Sequence, residues 1–87
     1  NHMNNIKIIG LLIRDRIKEA GKTQEVLNAS NHLIKSRLGF HEVSSQKCSR
    51  VGMVLLQLQG EPKEWDPFIN KLLEIEGLEV QSMDFTF

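Results

Sequence analysis

Residues 37–60 have the sequence RLGFHEVSSQKCSRVGMVLLQLQG and contain the longest apolar run of the chain. A polar, turn-rich segment leads directly into this run, which is a pattern that favours two strands joined by a tight turn. We predict a short strand over 40–46 at the edge of a sheet, a turn at 47–49 and a central strand over 51–59. The remaining elements are assigned outward from this hairpin.

One strand and one helix are expected before the hairpin. Residues 6–13, IKIIGLLI, are rich in β-branched side chains and predict a strand. Thr23 is placed as the cap of a helix over 23–37, in which apolar residues recur at helical spacing. Gly39 is then expected to end this helix, and the pattern leaves open whether 17–20 form an earlier helical turn.

A second helix and a final strand are expected after the hairpin. Pro62 interrupts the central strand, and the apolar stripe that includes Trp65, Phe68 and Leu72 predicts a helix over 63–77. Pro67 fits such a helix only in its first turn, where a missing N–H is harmless. Side chains of different polarity alternate along the start of 78–87, and this segment is predicted to be the last strand.

This order predicts an α+β fold of the ferredoxin-like βαββαβ type. Right-handed crossovers would place two helices on one face of a four-stranded antiparallel sheet, with the first and third strands central. A chain of 87 residues suits one domain. We assign that domain to 4–87 and interpret 1–3 as a cloning remnant and the start Met.

The composition is that of an ordinary globular domain, with 40% hydrophobic and 25% charged residues. No apolar run approaches the ~20 residues of a membrane helix. The single cysteine rules out an internal disulfide and fits a reducing, cytoplasmic location. We therefore expect neither a membrane nor a cofactor as a partner.

The net charge of zero conceals an uneven distribution. Residues 3–50 contain nine basic and four acidic residues, whereas 51–87 contain two basic and seven acidic residues. Without a net basic excess, broad electrostatic binding to nucleic acid is not expected. The two halves instead carry charges that can attract each other within or between chains.

Both faces of the two central strands are apolar, although two helices can cover only one face. We predict that the uncovered face packs against another subunit, giving a homo-oligomer, either dimer or tetramer. Because successive side chains of a strand point to opposite faces, the strand register decides which set of residues lies on the uncovered face. The set that we assign to the interface is Ile9, Leu11, Ile13, Val51, Met53 and Leu55.

The sequence offers few groups for chemistry. His32, His41 and Cys48 are candidate metal ligands, but their spacing matches no established metal motif, and we predict no metal site. Lys47 and Arg50 flank Cys48 and favour its thiolate, yet no adjacent histidine supplies a base. We accordingly predict no catalytic residue.

Basic residues near the hairpin suggest a site for an anion. Lys35, Arg37, Lys47 and Arg50 would gather near the turn and could hold a phosphate or carboxylate, or could simply complement the end of a helix. We assign the candidate ligand site to Arg37, Gly39 and Arg50. The central strands lack the aromatic residues with which RNA-recognition motifs stack bases.

The segments 8–16, 32–40, 51–60 and 76–83 resemble the small transcriptional regulators associated with iron-only hydrogenase systems. The likeness extends over nearly all of 3–85 and is carried by structural motifs, so it transfers no catalytic residue. The family's fold is similar to ACT domains and to the C-terminal domain of the nickel-responsive regulator. The resemblance thus implies assembly through the sheets and effector binding at subunit boundaries.

The chain departs from the nickel-responsive regulator in its ligand residues and has no ribbon-helix-helix or helix-turn-helix segment. A DNA contact would therefore have to come from a partner. We expect a non-enzymatic, oligomeric regulatory domain that senses a small anionic ligand. The alternative is a structural module that docks a protein partner through its open sheet face or an edge strand.

Overall fold

The computed structural model describes residues 4–14, 16–43 and 48–87 and contains four strands and two α-helices. It also contains two 3₁₀ turns, Asn31–Leu33 and Pro62–Glu64. In chain order the elements are β1 (Asn5–Ile13), α1 (Arg16–Ala29), β2 (Ile34–Val43), β3 (Cys48–Leu58), α2 (Trp65–Leu73) and β4 (Leu78–Thr86). The predicted α+β fold, an antiparallel four-stranded sheet with two helices, is confirmed.

The four strands are paired in the order β2-β3-β1-β4, and every pair is antiparallel. Ile9 is opposite Leu56 of β3 and Ser82 of β4, and Leu11 is opposite Val54 and Val80. Because side chains alternate along a strand, this register decides which residues of β1, β3 and β4 share a face.

The first helix differs from its predicted span. It begins at Arg16, and Thr23 lies inside it with its hydroxyl donating a hydrogen bond to the Glu19 carbonyl, 3.0 Å away. The chain leaves the helix at Ala29, and buried Leu33 and Ile34 belong to the 3₁₀ turn and to β2. The spacing of these two residues from Leu27 is compatible with a helix that continues and also with a turn that leads into a strand. The apolar stripe therefore did not indicate where the helix ends.

The second strand is longer than predicted and starts six residues earlier. Gly39 is therefore not a helix stop; it lies within β2, opposite Val54. The strand β3 starts at Cys48, three residues earlier than predicted. Cys48 and Ser49, predicted to lie in the turn, therefore belong to β3. The first residue of the predicted turn and the end of the predicted edge strand fall outside the described residues.

The second helix is shorter than its predicted span of 63–77. It starts at Trp65, so Pro67 lies in its first turn, as predicted. The helix ends at Leu73, and the chain turns into β4 through Gly77, whose φ of 87° is in the left-handed region. That conformation strains any residue with a Cβ, which explains why glycine occupies the turn.

Both helices cover the same face of the sheet. One connected cluster joins buried residues of β1 and β3 to Leu27 of α1 and to Phe68 and Leu72 of α2. The Trp65 indole N–H donates a hydrogen bond to the Gln59 carbonyl at 2.9 Å, which ties the start of α2 to the end of β3. No helix in the described part of the chain is long and apolar enough to cross a membrane.

A buried carboxylate ties α1 to the turn before β4. Glu19 is only 8% exposed, and its Oε1 accepts a hydrogen bond from the Arg14 backbone N–H at 3.1 Å. The same carboxylate lies against the Cα of Gly77, where a Cβ would collide with it. Glu19 therefore connects the end of β1, the first turn of α1 and the turn at Gly77.

Candidate functional site

The sheet face opposite the helices is the candidate site, and its β1 residues follow from strand alternation. Ile9, Leu11 and Ile13 point toward the helices and are buried. The intervening residues Ile8 and Leu12 point to the other side and are only partly buried. This side of the sheet is therefore apolar without being covered by the helices.

Neighbouring strands extend this apolar surface across the sheet. Leu12 is opposite Met53 of β3, and Ile8 is opposite Met83 of β4. Leu55 lies between β1 and β2, opposite Gly10 on one side and Leu38 on the other. We call this surface the open face and define it by the residues Ile6, Ile8, Gly10, Leu12, Leu38, Met53, Leu55, Met83 and Phe85.

Large apolar side chains of the open face are well exposed. Leu38 on one edge strand is 61% exposed, while Met83 and Phe85 on the other are 55% and 52% exposed. Such contiguous apolar surfaces commonly mark interaction sites. The open face therefore has the composition of a contact surface.

A hollow lies near the middle of the open face because Gly10 contributes no side chain. It has a volume of about 170 Å³ and is lined by Gly10, Leu12, Met53, Glu79 and Gln81. An ideal Cβ at Gly10 would approach the Leu55 side chain to 3.5 Å, which is ordinary van der Waals contact. The hollow can therefore accept an apolar side chain from another molecule.

Polar groups at the edge of the hollow form a small network. Gln81 donates a hydrogen bond to Glu79 Oε2 at 3.0 Å, and Arg14 Nη2 is 2.6 Å from Glu79 Oε1. The Gln81 hydrogen bond, followed by the hydrogen bond and charge of Arg14, holds the pKa of Glu79 below its usual value. Glu79 thus has its charge compensated within the same molecule.

We expect NMR titration of the Glu79 carboxyl carbon to give a pKa below that of an ordinary glutamate. In Gln81→Ala the pKa should rise, because the largest stabilising contact of the carboxylate is removed. A lowered folded-state pKa stabilises the fold above the unfolded-state pKa, and this contribution is lost as the pH falls through the folded-state value. An unchanged Glu79 pKa in Gln81→Ala would contradict the network; Gln24→Ala, on the helix layer, is the control.

The predicted interface set combined residues from opposite faces of the sheet. Ile9 and Leu11 are fully buried and Ile13 is 6% exposed beneath the helices, so assigning them to an exposed interface was wrong. Met53 and Leu55 do lie on the open face, opposite Leu12 and Gly10. The Val51 side chain lies outside the described residues. The register pairs Ile9 with Leu56 rather than with Leu55, and this offset of one residue separates the two groups.

The predicted ligand residues do not lie on the open face. Arg37 is opposite Leu56, which is buried in the core, and its Nη2 donates a hydrogen bond to Gln24 of α1 at 3.2 Å. Gly39 is two residues further along β2, on the same side. The Arg50 side chain is outside the described residues. The structure therefore places Arg37 and Gly39 on the helix side of an edge strand, and the ligand site stays a prediction.

Of the three candidate metal ligands, the structure describes the side chain of His32 alone. His32 lies in the 3₁₀ turn, with its Nε2 3.8 Å from Glu64 Oε1. The side chains of His41 and Cys48 are outside the described residues. Among the residues that are described, no group of three or more His, Cys, Asp or Glu side chains could hold a metal ion.

The contribution of the edge strands to the open face was not predicted from the sequence. Leu38 lies between the predicted helix, which ends at 37, and the predicted edge strand, which starts at 40, so it was assigned to no strand. Met83 and Phe85 lie in the predicted last strand, but no neighbouring strand residues were assigned to them. One signal was available: Gln57 lies on the same side of β3 as Met53 and Leu55, and a polar residue marks the side away from a core. That signal identifies the open face of β3 but does not identify its β1 neighbours.

The chain is similar in structure to a protein whose structure has been solved. An uncharacterized protein from Thermotoga maritima has a similar structure, with a TM-score of 0.77 and 19% sequence identity over 97% of this chain and 99% of that protein. No family model matches the chain, and no curated protein matches it. At this identity, the structural likeness shows a shared fold.

Proposed function

We propose that the chain is a ferredoxin-like βαββαβ plait that assembles with copies of itself through the open face and serves as a non-enzymatic regulatory domain in the cytoplasm. The observation that carries this proposal is the open face, which is apolar across all four strands and lies opposite both helices. Burying such a surface against a partner removes apolar area from water, which is the main driving force for association.

A second copy of the chain fits the charge distribution of the open face. Beside the hollow at Gly10, Glu79 pairs with Arg14 of the same molecule. A copy can therefore cover the hollow without burying Glu79 as an unpaired charge, which would oppose association strongly. The hollow at Gly10 also provides a recess for a protruding apolar side chain of the copy.

The regulatory role is supported by the sequence resemblance to regulators of iron-only hydrogenase systems. The resembling segments include 8–16 and 51–60, which contribute to the two central strands of the open face. In the related ACT-like folds, effectors bind where subunits meet. We therefore propose a small anionic effector whose site is completed by assembly, with any DNA contact supplied by a partner protein.

A non-enzymatic role suits the chemistry of the open face. Acid–base and nucleophilic catalysis need ionisable groups that converge on one reacting atom. The open face instead presents aliphatic, thioether and aromatic side chains, and its one described carboxylate, Glu79, is held by Arg14 and Gln81. This surface is suited to packing.

Sedimentation velocity over a micromolar concentration series tests the assembly. We expect a dimer or tetramer whose proportion rises with concentration, as mass action requires. A monomer throughout the series would contradict the proposal. Thermal-shift screening of amino acids, nucleotides and metal ions then tests effector sensing, for which a shift with an anionic compound is expected.

The second candidate is a module that docks another polypeptide. Phe85, 52% exposed, lies on the edge strand β4, and edge strands can pair with an added strand. Affinity capture from a native extract, followed by mass determination of the complex, separates the two candidates. A stoichiometric foreign protein would favour docking, whereas recovery of the chain with itself alone would favour self-assembly.

A further inference from the structure

A cavity on the helix layer, opposite the open face, is separate from the site described above. It lies between the 3₁₀ turn after α1 and the start of α2 and has a volume of about 250 Å³. Its polar lining comes from Ser30, His32, Lys63, Glu64 and Lys71, and its apolar lining includes Pro67. Drug-sized ligands occupy pockets of ~300–1,000 Å³, so this cavity suits a smaller molecule.

The basic residues of this cavity are unusual for their part of the chain. Residues 51–87 contain seven acidic residues and only two basic ones, Lys63 and Lys71, and both basic residues line the cavity. Neither ammonium group has a carboxylate within 4.0 Å among the described residues. The cavity therefore concentrates positive charge within an acidic half of the chain.

The one acidic side chain in the lining does not neutralise the lysines. Glu64 Oε1 is 3.8 Å from His32 Nε2, and within the part of the chain that the structure describes no ion pair joins it to Lys63 or Lys71. His32 can donate a hydrogen bond through its ring whether or not it is charged. With two lysines and one glutamate, the lining has a net positive charge even when His32 is neutral.

A buried hydroxyl supplies a second, independent sign of a ligand. Ser30 is only 9% exposed, and its hydroxyl has no hydrogen-bond partner in the described parts of the chain. Its backbone is already satisfied, because its N–H bonds to the Val26 carbonyl and its carbonyl accepts from Leu33. A buried polar group without a partner is costly, and a ligand oxygen would remove that cost.

We propose that this cavity binds a small phosphate-bearing anion. Lys63 and Lys71 supply the opposite charge, Ser30 and His32 supply neutral hydrogen-bond donors, and Pro67 offers a surface for a short organic group. The proposal does not depend on assembly through the open face, because every residue involved belongs to the helix layer or its connections.

NMR titration of the ¹⁵N-labelled chain with inorganic phosphate tests the proposal, with ionic strength and pH held constant. We expect saturable shifts of the amides around Ser30–Leu33 and Lys63–Lys71. In Lys63→Gln/Lys71→Gln, affinity should fall by roughly tenfold or more, because charge-assisted hydrogen bonds are lost. The matched control is Lys18→Gln/Lys22→Gln, which removes the same charge from exposed positions on α1 and should retain most of the affinity.

Two further measurements sharpen the test. Ser30→Ala should weaken phosphate binding without lowering the thermal unfolding midpoint, because the hydroxyl has no protein partner to lose within the described residues and its removal relieves the cost of burying it. Tighter binding of phenyl phosphate than of inorganic phosphate would identify an ester as the ligand, and weaker binding would identify the free ion. Shifts that do not saturate, or equal losses in both double lysine variants, would overturn the proposal. Sedimentation of the same variants should be unchanged, so failure here is distinguishable from failure of assembly.

Discussion

Gly77→Ala is expected to destabilise the fold by roughly 2–5 kcal/mol, the largest single-residue effect that we predict on stability. Part of the cost is conformational, because φ at this position is 87° and a residue with a Cβ is strained there. The remainder comes from Glu19, whose carboxylate occupies the space of the new Cβ. To make room, Glu19 would have to release the Arg14 backbone N–H and leave that donor without its partner.

Gly21→Ala is the matched control for this substitution. Gly21 lies within α1, and a Cβ added there meets nothing within 4 Å. Alanine is favoured over glycine in a helix, so this variant should be stabilised by roughly 0.5–1 kcal/mol. Urea unfolding at one fixed protein concentration measures both variants, since assembly would make the midpoints depend on concentration.

A double substitution separates the two causes of the Gly77→Ala effect. Adding Glu19→Ala removes the collision but keeps the backbone strain, so the double variant should be less destabilised than the sum of the two single variants. Strict additivity would show that Glu19 and Gly77 do not act together. A cost in Gly77→Ala no larger than that of an ordinary surface change would contradict the structure of this turn.

Leu38→Glu is expected to weaken self-association by roughly 100-fold, or about 3 kcal/mol. Leu38 lies on the open face beside Leu55, and a carboxylate there would be buried without a partner on assembly. Because Leu38 is already 61% exposed in the single chain, the fold itself should tolerate the change. Sedimentation velocity of the variant should therefore show a folded monomer where the wild-type chain is assembled.

Leu73→Glu is the control for this experiment. Leu73 is 57% exposed, close to the value for Leu38, but it lies on α2 in the helix layer. The same chemical change should therefore leave assembly intact. If Leu38→Glu remained assembled, or if Leu73→Glu dissociated the complex instead, the interface would not be the open face. Met83→Glu, on the opposite edge strand, provides a second variant of the open face with the same expected result.

Prediction of the elements succeeded where one strong local signal existed. The apolar run before Gly60 correctly predicted β3, and Pro67 correctly indicated the first turn of α2. Prediction was wrong where two structures share a pattern: Leu33 and Ile34 have helical spacing from Leu27, yet they follow a 3₁₀ turn and enter β2. Local spacing does not distinguish these alternatives, because both bury the same side chains.

Glu19 and Ser30 show a second reason why sequence-based prediction was incomplete. Nothing in the residues around Glu19 indicates that its carboxylate meets a glycine 58 positions later, and this contact exists only because α1 packs beside the turn before β4. Likewise, Lys63 and Lys71 share a cavity with Ser30 because α2 lies against the end of α1. Contacts between distant segments depend on how the helices pack on the sheet. The residues adjacent to Glu19 or Ser30 in the sequence do not indicate that packing.

The sequence by itself determined that both faces of the central strands are apolar and that the two helices can cover only one of these faces. Only the tertiary structure decided which face remains open. Side chains alternate with a period of two, so a shift of one residue in the pairing of β1 with β3 exchanges the faces. The observed register, with Ile9 opposite Leu56, is compatible with burial of both residues beneath α1 and α2. It leaves Leu12, Met53 and Leu55 on the open face.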